Sequence, residues 1–276
     1  MKAAVLGSPI AHSLSPVLHR AAYRALGLAG WSYQAIECDE AALPGLLAGC
    51  GDDWAGLSLT MPLKRAVLPL LDRTEPPVTD VGAANTVVFT GGRRHGHNTD
   101  VPGMVAALAE AGLAGDPGQV LIAGAGATAC SALAAVRDLG GRRVTVAARD
   151  ASRAGPLLAA ASRLGVTVGL AGFDDAGTPA PDLLISTVPT GAADTYAKRL
   201  AGGSLRPGLV FDVVYHPWPT PLAAAAKQAG AAVVGGFALL LHQAAGQVAL
   251  MTGKPAPVEA MRAAGLAALA DRAVPG

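Results

Sequence analysis

The amino-acid sequence predicts an α/β protein of two domains, the second of which is built on a doubly wound parallel sheet. Three observations lead to this prediction. The chain has 276 residues, which exceeds the usual size of a single domain. From Val120 onward, short apolar segments alternate with longer alanine-rich segments, as in a parallel sheet with helical crossovers. Where this alternation begins, a predicted strand breaks into a glycine-rich turn and then into a predicted helix.

The turn after residues 120–123 has the spacing G-x-G-x-x-A of dinucleotide-binding sites. Gly124 would form the tight turn, Gly126 would let the backbone approach a pyrophosphate, and Ala129 would let the helix pack closely on its strand. The phosphates would bind the N–H groups at the start of the helix. In a chain with 35 glycines this spacing is weak by itself. The strand before it and the helix predicted over residues 128–139 supply the context that it needs.

The second strand of this domain indicates which dinucleotide binds. Residues 143–148 form the predicted strand, and Arg149 follows it. An arginine at this place favours the 2′-phosphate of NADP, whereas NAD sites carry an acid there. Arg153, four residues on, could add a second planar guanidinium. Asp150 either caps the next helix or binds a ribose hydroxyl, and the two alternatives remain open; on balance the sequence favours NADP.

Further strands and helices continue the alternation. Strands are predicted over residues 166–170, 182–188, 209–214 and 231–234, and helices over residues 152–164 and 219–229. The last two predicted helices, residues 237–251 and 257–270, have no strand to follow, so we expect them to pack back on the N-terminal half. The predicted domains are residues 1–101 with 237–276, and residues 102–236.

In the N-terminal half, several polar residues lie at the ends of predicted elements. Ser13 and Ser15 precede a helix that Pro16 would begin, which makes Ser15 a natural N-cap. Lys64 lies near a helix start, where the helix dipole does not favour a cation. Asp100 precedes the helix predicted over residues 101–111. Taken singly, each has an ordinary structural interpretation as a cap or a solvated surface residue.

Composition excludes several classes of partner. The net charge is +1 and no run of Lys or Arg stands out, so we expect neither nucleic acid nor a membrane surface as a partner, but a small molecule. Cys38, Cys50 and Cys130 have no C-x-x-C spacing, and His95 and His97 have no evident third ligand, so we expect no disulfide framework and no metal. The cysteine pattern fits a cytoplasmic protein. The apolar run over residues 237–251 is too short to span a membrane.

Ordered motifs along the whole chain resemble those of the shikimate dehydrogenases. The first is the loop Gly7-Ser8-Pro9-Ile10-x-His12-Ser13-x-Ser15-Pro16-x-x-His19. The others, in chain order, are residues 56–64, Gly82-Ala83-x-Asn85-Thr86, Asn98-Thr99-Asp100-x-x-Gly103, residues 124–129, Ala148-Arg149-Asp150-x-x-Arg153, Asp212-x-x-Tyr215-x-Pro217-x-x-Thr220-Pro221, and residues 236–245.

The resemblance implies an N-terminal α/β substrate-binding domain, a Rossmann-type NADP domain and final helices that return to the first domain. It implies a monomer or homodimer that acts on shikimate and 3-dehydroshikimate, with Lys64 and Asp100 as the catalytic pair. The residues that would bind shikimate are Ser13, Ser15, Thr60, Lys64, Asn85, Asp100, Tyr215 and Gln243. The residues that would bind NADP are Gly124, Ala125, Gly126, Ala127, Thr128, Ala148, Arg149, Arg153, Thr187, Val213 and Gly236.

The chain departs from the family pattern at a few positions. The family usually has Asn in place of Ser58 and of Ala148, and Thr in place of Asp150. We therefore expect Ser58 to weaken a substrate contact and Asp150 to reduce the preference for NADP. Two alternatives follow: a relative that acts on quinate or an amino analogue, and a catalytically idle NADP-binding sensor. The presence of both Lys64 and Asp100 disfavours the sensor.

Overall fold

The computed structural model describes residues 1–175 and 179–273, apart from the side chains of Ala151, Arg153 and Ala273. The chain divides into two compact units, Met1–Thr99 with Leu240–Gly276, and Asp100–Leu239. The first unit contains β1 (Lys2–Gly7), α1 (Ser15–Ala25), β2 (Ser32–Glu37), α2 (Leu43–Ala48), β3 (Trp54–Leu59), α3 (Leu63–Ala66), β4 (Arg73–Thr74), α4 (Pro76–Val81), β5 (Thr86–Thr90) and β6 (Arg93–His97). The second contains α5 (Asp100–Glu110), β7 (Gln119–Ala123), α6 (Ala127–Asp138), β8 (Arg143–Ala147), α7 (Gly155–Leu164), β9 (Val168–Ala171), β10 (Leu183–Ser186), α8 (Asp194–Ala201), β11 (Leu209–Asp212), α9 (Pro221–Gln228) and β12 (Ala232–Gly235). The chain continues through α10 (Gly236–Thr252) and α11 (Val258–Ala273).

The first unit is built on a six-stranded mixed sheet of order β2-β1-β3-β5-β6-β4. Strand β1 is parallel to β2 and β3, whereas β5 is antiparallel to both β3 and β6. Leucine, valine and alanine side chains from β1, β3 and β5 pack with α2 and α3 to form its core. Because of these strand directions, β1, β3 and β6 end, and β5 begins, at the same edge of the sheet.

The last helix completes this unit. Helix α11 packs along α1, and the guanidinium of Arg272 donates a hydrogen bond to the carbonyl of His12 at 2.8 Å. Most of α10 belongs to the same unit. The prediction that the last helices pack back on the N-terminal half is therefore confirmed.

The second unit is built on a six-stranded parallel sheet of order β12-β11-β10-β7-β8-β9. Counted from β7, this is the doubly wound order 3-2-1-4-5-6, and the order reverses between β7 and β10. Alanine, leucine and valine dominate the core, and Phe173, Tyr196 and Phe211 are among its large aromatic side chains. The predicted fold class is confirmed.

Three local predictions differ from the structure. Helices α4 and α8 were not predicted; α4 opens with two prolines, and α8 buries Tyr196, Ala197 and Leu200. Proline is nevertheless tolerated in the first turn of a helix. The helix predicted over residues 152–164 begins only at Gly155, after the 3₁₀ turn Ala151–Ala154.

The expected N-cap of α1 is also wrong by one residue. Ser15 is the first residue of the helix, and Leu14 occupies the N-cap position without a side-chain cap. The hydroxyl of Ser13 instead accepts a hydrogen bond from the Ser15 N–H at 3.2 Å. Pro16 fits the second helical position because its missing N–H would have had no partner there.

Candidate active site and cofactor site

The loops at one edge of the first sheet carry most of the residues predicted to bind substrate. Ser13 and Ser15 follow β1, whereas Thr60 and Lys64 follow β3. These loops are joined by backbone hydrogen bonds: the Thr60 N–H donates to the Leu6 carbonyl at 2.9 Å, and the Ala84 N–H donates to the Lys64 carbonyl at 2.8 Å. Asn85 lies directly before β5 at the same edge. The structure therefore brings these elements together within the first unit.

The amide of Asn85 is held by hydrogen bonds on both of its polar atoms. Its Oδ1 accepts from the Thr99 N–H at 2.8 Å and from the Thr86 hydroxyl at 2.9 Å. Its Nδ2 donates to the Thr99 hydroxyl at 2.9 Å and to Gln243 Oε1 at 3.4 Å. Asn85 is buried, as is Gln243, which α10 supplies. Two residues that the motifs assigned to substrate thus lie side by side in a fixed arrangement.

Gln247, which the sequence analysis did not single out, links this cluster to the rest of the unit. Its Nε2 donates to the Asn85 carbonyl at 3.2 Å and to the Thr86 hydroxyl at 3.1 Å. Its Oε1 accepts from the Ser58 hydroxyl at 2.7 Å and faces His19 Nε2 at 3.2 Å. The signal available in the sequence was its spacing, since residues i and i+4 share one face of a helix and Gln247 is one turn after Gln243.

Ser58 is a member of this buried network. Its oxygen accepts from the Tyr33 hydroxyl at 2.6 Å and its own hydroxyl donates to Gln247. Ser58 is only 3% exposed. The hydroxyl of Ser58 thus joins β3 to β2 and α10. The expectation that Ser58 weakens a substrate contact stays a prediction.

His19 closes the network on the side of α1. Its ring stacks on Tyr33, with centroids 3.9 Å apart and an interplanar angle of 15°. Burial lowers the pKa of His19 to about 3, although its hydrogen bond with Gln247 opposes the shift. Burial raises the pKa of Tyr33 well above its usual range, and hydrogen bonding with Ser58 acts in the opposite direction. Both rings are therefore neutral at physiological pH.

Lys64, Asp100 and Tyr215 occupy three different elements. Lys64 is half-buried in α3, in the first unit. Asp100 is buried as the first residue of α5 and Tyr215 is half-buried between β11 and α9, both in the second unit. Asp100 directly follows Thr99, which binds Asn85 through its N–H. The joint role of Lys64 and Asp100 stays a prediction.

In the second unit, the predicted phosphate turn lies where the strand order reverses. Gly124 has φ of +113°, a conformation that side chains rarely adopt. A Cβ atom at this position would also collide with the hydroxyl of Thr187, which follows β10 and donates to the Ala123 carbonyl at 2.8 Å. Glycine is thus required twice over at position 124. Thr187, expected near the nicotinamide, lies beside the phosphate turn.

The helix after this turn has the features expected of an anion site. Gly126 is exposed and extended at the N-cap of α6, with no side-chain cap, and a Cβ there would meet no atom within 4 Å. Ala129 is fully buried, as close packing of the helix on its strand requires. The remaining predicted residues of the turn, Ala125, Ala127 and Thr128, are half-buried.

In the segment after β8, Asp150 makes the capping contact that was one of the two roles left open for it. Its Oδ1 accepts from the Ser152 N–H at 3.0 Å and from the Ser152 hydroxyl at 2.6 Å, so Asp150 caps the 3₁₀ turn that follows. Arg149 is exposed at the end of the strand, and Ala148 is half-buried. The side chain of Arg153 lies outside the part of the chain that the structure describes.

Close backbone approach explains the glycine that begins α10. A Cβ on Gly236 would overlap the carbonyl of Val213, the residue after β11. Asp212, one residue earlier, accepts from the Thr220 hydroxyl at 2.6 Å and from the Val214 N–H at 3.2 Å. Burial raises the pKa of Asp212, and these hydrogen bonds oppose the shift. The hydrogen bonds of Asp212 therefore fix the loop between β11 and α9, which carries Tyr215.

No cluster of three or more His, Cys, Asp or Glu side chains among the described residues has the arrangement of a metal site. No helix formed by those residues is long and apolar enough to cross a bilayer.

The second unit is a doubly wound sheet with a glycine turn where its strand order reverses. The first unit is an α/β unit that carries amides, hydroxyls and a lysine at one sheet edge. Together they define the class of this protein, a two-domain, nucleotide-dependent oxidoreductase. Known proteins agree with this class. The profile described as "Shikimate dehydrogenase substrate binding domain" matches residues 5–87, and that described as "Shikimate 5'-dehydrogenase C-terminal domain" matches residues 236–264. The chain belongs to the shikimate dehydrogenase family.

Individual relatives cover nearly the whole chain. The shikimate dehydrogenase (NADP(+)) of Geobacter metallireducens is 34% identical over 96% of each chain. The crystal structure of Mycobacterium tuberculosis shikimate dehydrogenase is 44% identical and superimposes with a TM-score of 0.86, covering 96% of this chain and 99% of that one. The Thermus thermophilus shikimate 5-dehydrogenase in complex with NADP(H) and shikimate is 34% identical, with a TM-score of 0.83 and coverage of 98% and 100%.

Proposed function

We propose that this protein catalyses the reversible, NADPH-dependent reduction of 3-dehydroshikimate to shikimate, a step in the biosynthesis of chorismate and the aromatic amino acids. The observation that carries the proposal is the buried pair Asn85 and Gln243, held together at a sheet edge from which the loops bearing Ser13, Thr60 and Lys64 also emerge. Residues 1–101 with 237–276 form the shikimate-binding domain in this proposal, and residues 102–236 form the NADP domain.

Substrate recognition rests on polar side chains that carry no charge. Shikimate is a cyclic carboxylate with three hydroxyls, and such a ligand needs several hydrogen-bond partners in fixed positions. Fixed amides and hydroxyls supply both donors and acceptors. We assign this binding to Ser13, Ser15, Thr60, Asn85, Tyr215 and Gln243. The network behind Asn85 supports the assignment, because ligands bind best to groups that are already oriented.

The chemical step needs a hydride at the carbonyl carbon and a proton at its oxygen. Bound NADPH supplies the hydride. We assign the proton to the ammonium of Lys64, which also stabilises negative charge that develops on the oxygen. Asp100 orients this ammonium and binds the same substrate hydroxyl. In the reverse direction, neutral Lys64 takes the proton from shikimate.

The preference for NADP rests on Arg149. A guanidinium can bind a phosphate through two parallel hydrogen bonds and can stack on adenine. Asp150 was the residue that argued for NAD, but its Oδ1 is engaged by Ser152. Because this oxygen caps the 3₁₀ turn, we assign the adenosine end of the dinucleotide to Arg149 rather than to Asp150. The glycine turn and the open N-terminus of α6 fit the pyrophosphate of either dinucleotide.

The experiment that tests the proposal is an assay of the purified protein with shikimate and with quinate, each with NADP and with NAD. We expect the highest kcat/KM with shikimate and NADP. Higher activity on quinate would support the alternative that the chain is a quinate or amino-analogue dehydrogenase. NADP binding without turnover of any of these substrates would support the idle sensor. Gel filtration would decide between monomer and homodimer, and we place the enzyme in the cytoplasm in view of its free cysteines.

A further inference from the structure

We propose that a pocket on the first unit, lined by Arg20, Tyr23, Arg24, Trp31 and residues 27–29, binds a small aromatic carboxylate. The pocket has a volume of about 420 Å³. This volume lies within the usual range for small-molecule sites. We call it the α1 pocket, because α1 supplies its two arginines and its tyrosine. No residue assigned to shikimate or NADP lines it.

The two arginines present their positive charge on one face of α1. They are four residues apart, so their side chains are neighbours about 6 Å apart at Cβ. Arg20 is anchored, since its Nε donates to the Tyr33 carbonyl at 2.8 Å, and this leaves the two terminal nitrogens as available donors. Guanidinium groups bind carboxylates through two parallel hydrogen bonds.

The positive charge in the pocket is not neutralised by the protein. Among the residues that the structure describes, no carboxylate forms an ion pair with Arg20 or Arg24, and no acid lines the pocket. Helix α1 itself contains no Asp or Glu. Like charges one helical turn apart repel each other. An anion placed between the two guanidiniums would remove this repulsion.

Aromatic rings form the other walls. Tyr23 and Trp31 lie with their centroids 5.3 Å apart at an interplanar angle of 58°. Tyr23 is only 3% exposed and lies behind Trp31, whose half-buried indole offers a planar ligand apolar area and an N–H donor. The Tyr23 hydroxyl is buried and finds no hydrogen-bond partner among the described residues. A phosphate or a small aliphatic acid would use the arginines but would leave the exposed part of the Trp31 indole without a partner, so this wall favours an aromatic acid.

Benzoate is a suitable probe, followed by NMR of the indole N–H signals. The chain has three tryptophans, so the Trp31 signal can be assigned by its loss in Trp31→Phe. The titration is done with saturating shikimate, which keeps benzoate out of the proposed substrate site. We expect a saturable shift of the Trp31 signal with Kd on the order of 1 mM, and no comparable shift of Trp54 or Trp218. Absence of a saturable Trp31 shift up to about 50 mM benzoate would overturn the proposal.

Three variants and two control anions sharpen the test. Arg20→Gln and Arg24→Gln should each weaken benzoate binding by about tenfold. Arg142→Gln removes an exposed charge from the second unit and should change nothing. Arg24→Gln leaves the hydrogen bond from Arg20 to Tyr33 intact, so it is informative even if Arg20→Gln is unstable. Unchanged affinity in Arg24→Gln, or acetate or inorganic phosphate binding as tightly as benzoate, would contradict an aromatic carboxylate site.

Discussion

Lowering the pH from 7.5 to 5.0 should destabilise the first unit by about 2 kcal/mol through His19 alone. The His19 side chain is fully buried, and burial lowers its pKa to about 3. In the unfolded chain its pKa is about 6.5. Below about pH 6.5 the unfolded state therefore binds a proton on His19, whereas the folded state binds it only below about pH 3. The contribution of His19 to the free energy of unfolding is thus fully present above pH 6.5 and falls as the pH drops from 6.5 towards 3. At about 1.4 kcal/mol per pH unit, the 1.5 units between 6.5 and 5.0 give the stated loss.

The assay is urea unfolding of the protein and of His19→Gln at both pH values. Glutamine keeps a donor near the position of Nε2 but does not titrate. Because the two units can unfold separately, both proteins carry Trp218→Phe, which leaves Trp31 and Trp54 as fluorescent reporters of the first unit. At pH 7.5 His19→Gln should be the less stable protein, since it lacks the stack on Tyr33. At pH 5.0 this gap should shrink by about 2 kcal/mol.

Other titrating groups do not confuse this comparison. Burial also lowers the pKa of His97, but His97 is present in both proteins and its contribution cancels. A gap that is the same at both pH values would refute the reasoning. A His19 ring signal that titrates near pH 6.5 in NMR spectra of the folded protein would refute it independently.

Four further substitutions test the proposed site. Lys64→Ala should lower kcat by about 100-fold or more without unfolding the protein, whereas alanine in place of the exposed Lys227 on α9 should not; near-normal turnover would remove Lys64 from the chemistry. Ser13→Ala should raise KM for shikimate by up to about tenfold, the effect of one hydrogen bond, and a lower Tm with unchanged KM would mean that its contact with the Ser15 N–H is its only role. Arg149→Ala should lower the ratio of NADP to NAD affinity by about 10- to 100-fold, and equal losses for both dinucleotides would show that it supports the loop or the adenine. Gln247→Leu should cost about 3 kcal/mol or more in unfolding free energy, because it leaves buried partners unsatisfied, and should raise KM more than it lowers kcat; a drop in kcat alone would contradict a positioning role.

The sequence was sufficient wherever one local pattern decides the backbone. The turn at Gly124 follows from a strand, two glycines and a helix in succession, and the structure confirms it down to the positive φ. The second sheet follows from regular alternation of apolar and alanine-rich segments. The return of the final helices could be expected because no strand remained for them. The first two inferences use residues that are close together in the chain, and the third uses the order of the predicted elements.

What the sequence could not supply are contacts between distant residues. Gln247 binds Ser58, which is 189 residues earlier, and it faces His19, which is 228 residues earlier. No local pattern encodes such pairings, and a buried glutamine on an apolar helix has the same appearance as a solvated one. The same limit applies to Ser58, whose partner Tyr33 lies on another strand. Asp150 was ambiguous for a different reason, since a cap and a ribose ligand require the same residue type.

The division of the first unit into two chain segments has a consequence for synthesis on the ribosome. The second unit is continuous, so all of its strands have been synthesised once residue 239 has been added. The first unit can complete its folding only after α10 and α11 have been made, because Gln247 and Arg272 make contacts with residues near the beginning of the chain. During that interval His19, Tyr33 and Ser58 lack Gln247 as a partner. Nascent chains in which residues up to 239 have left the ribosome but α10 and α11 have not should therefore expose the first sheet to proteases and chaperones, although the second unit already has all of its strands.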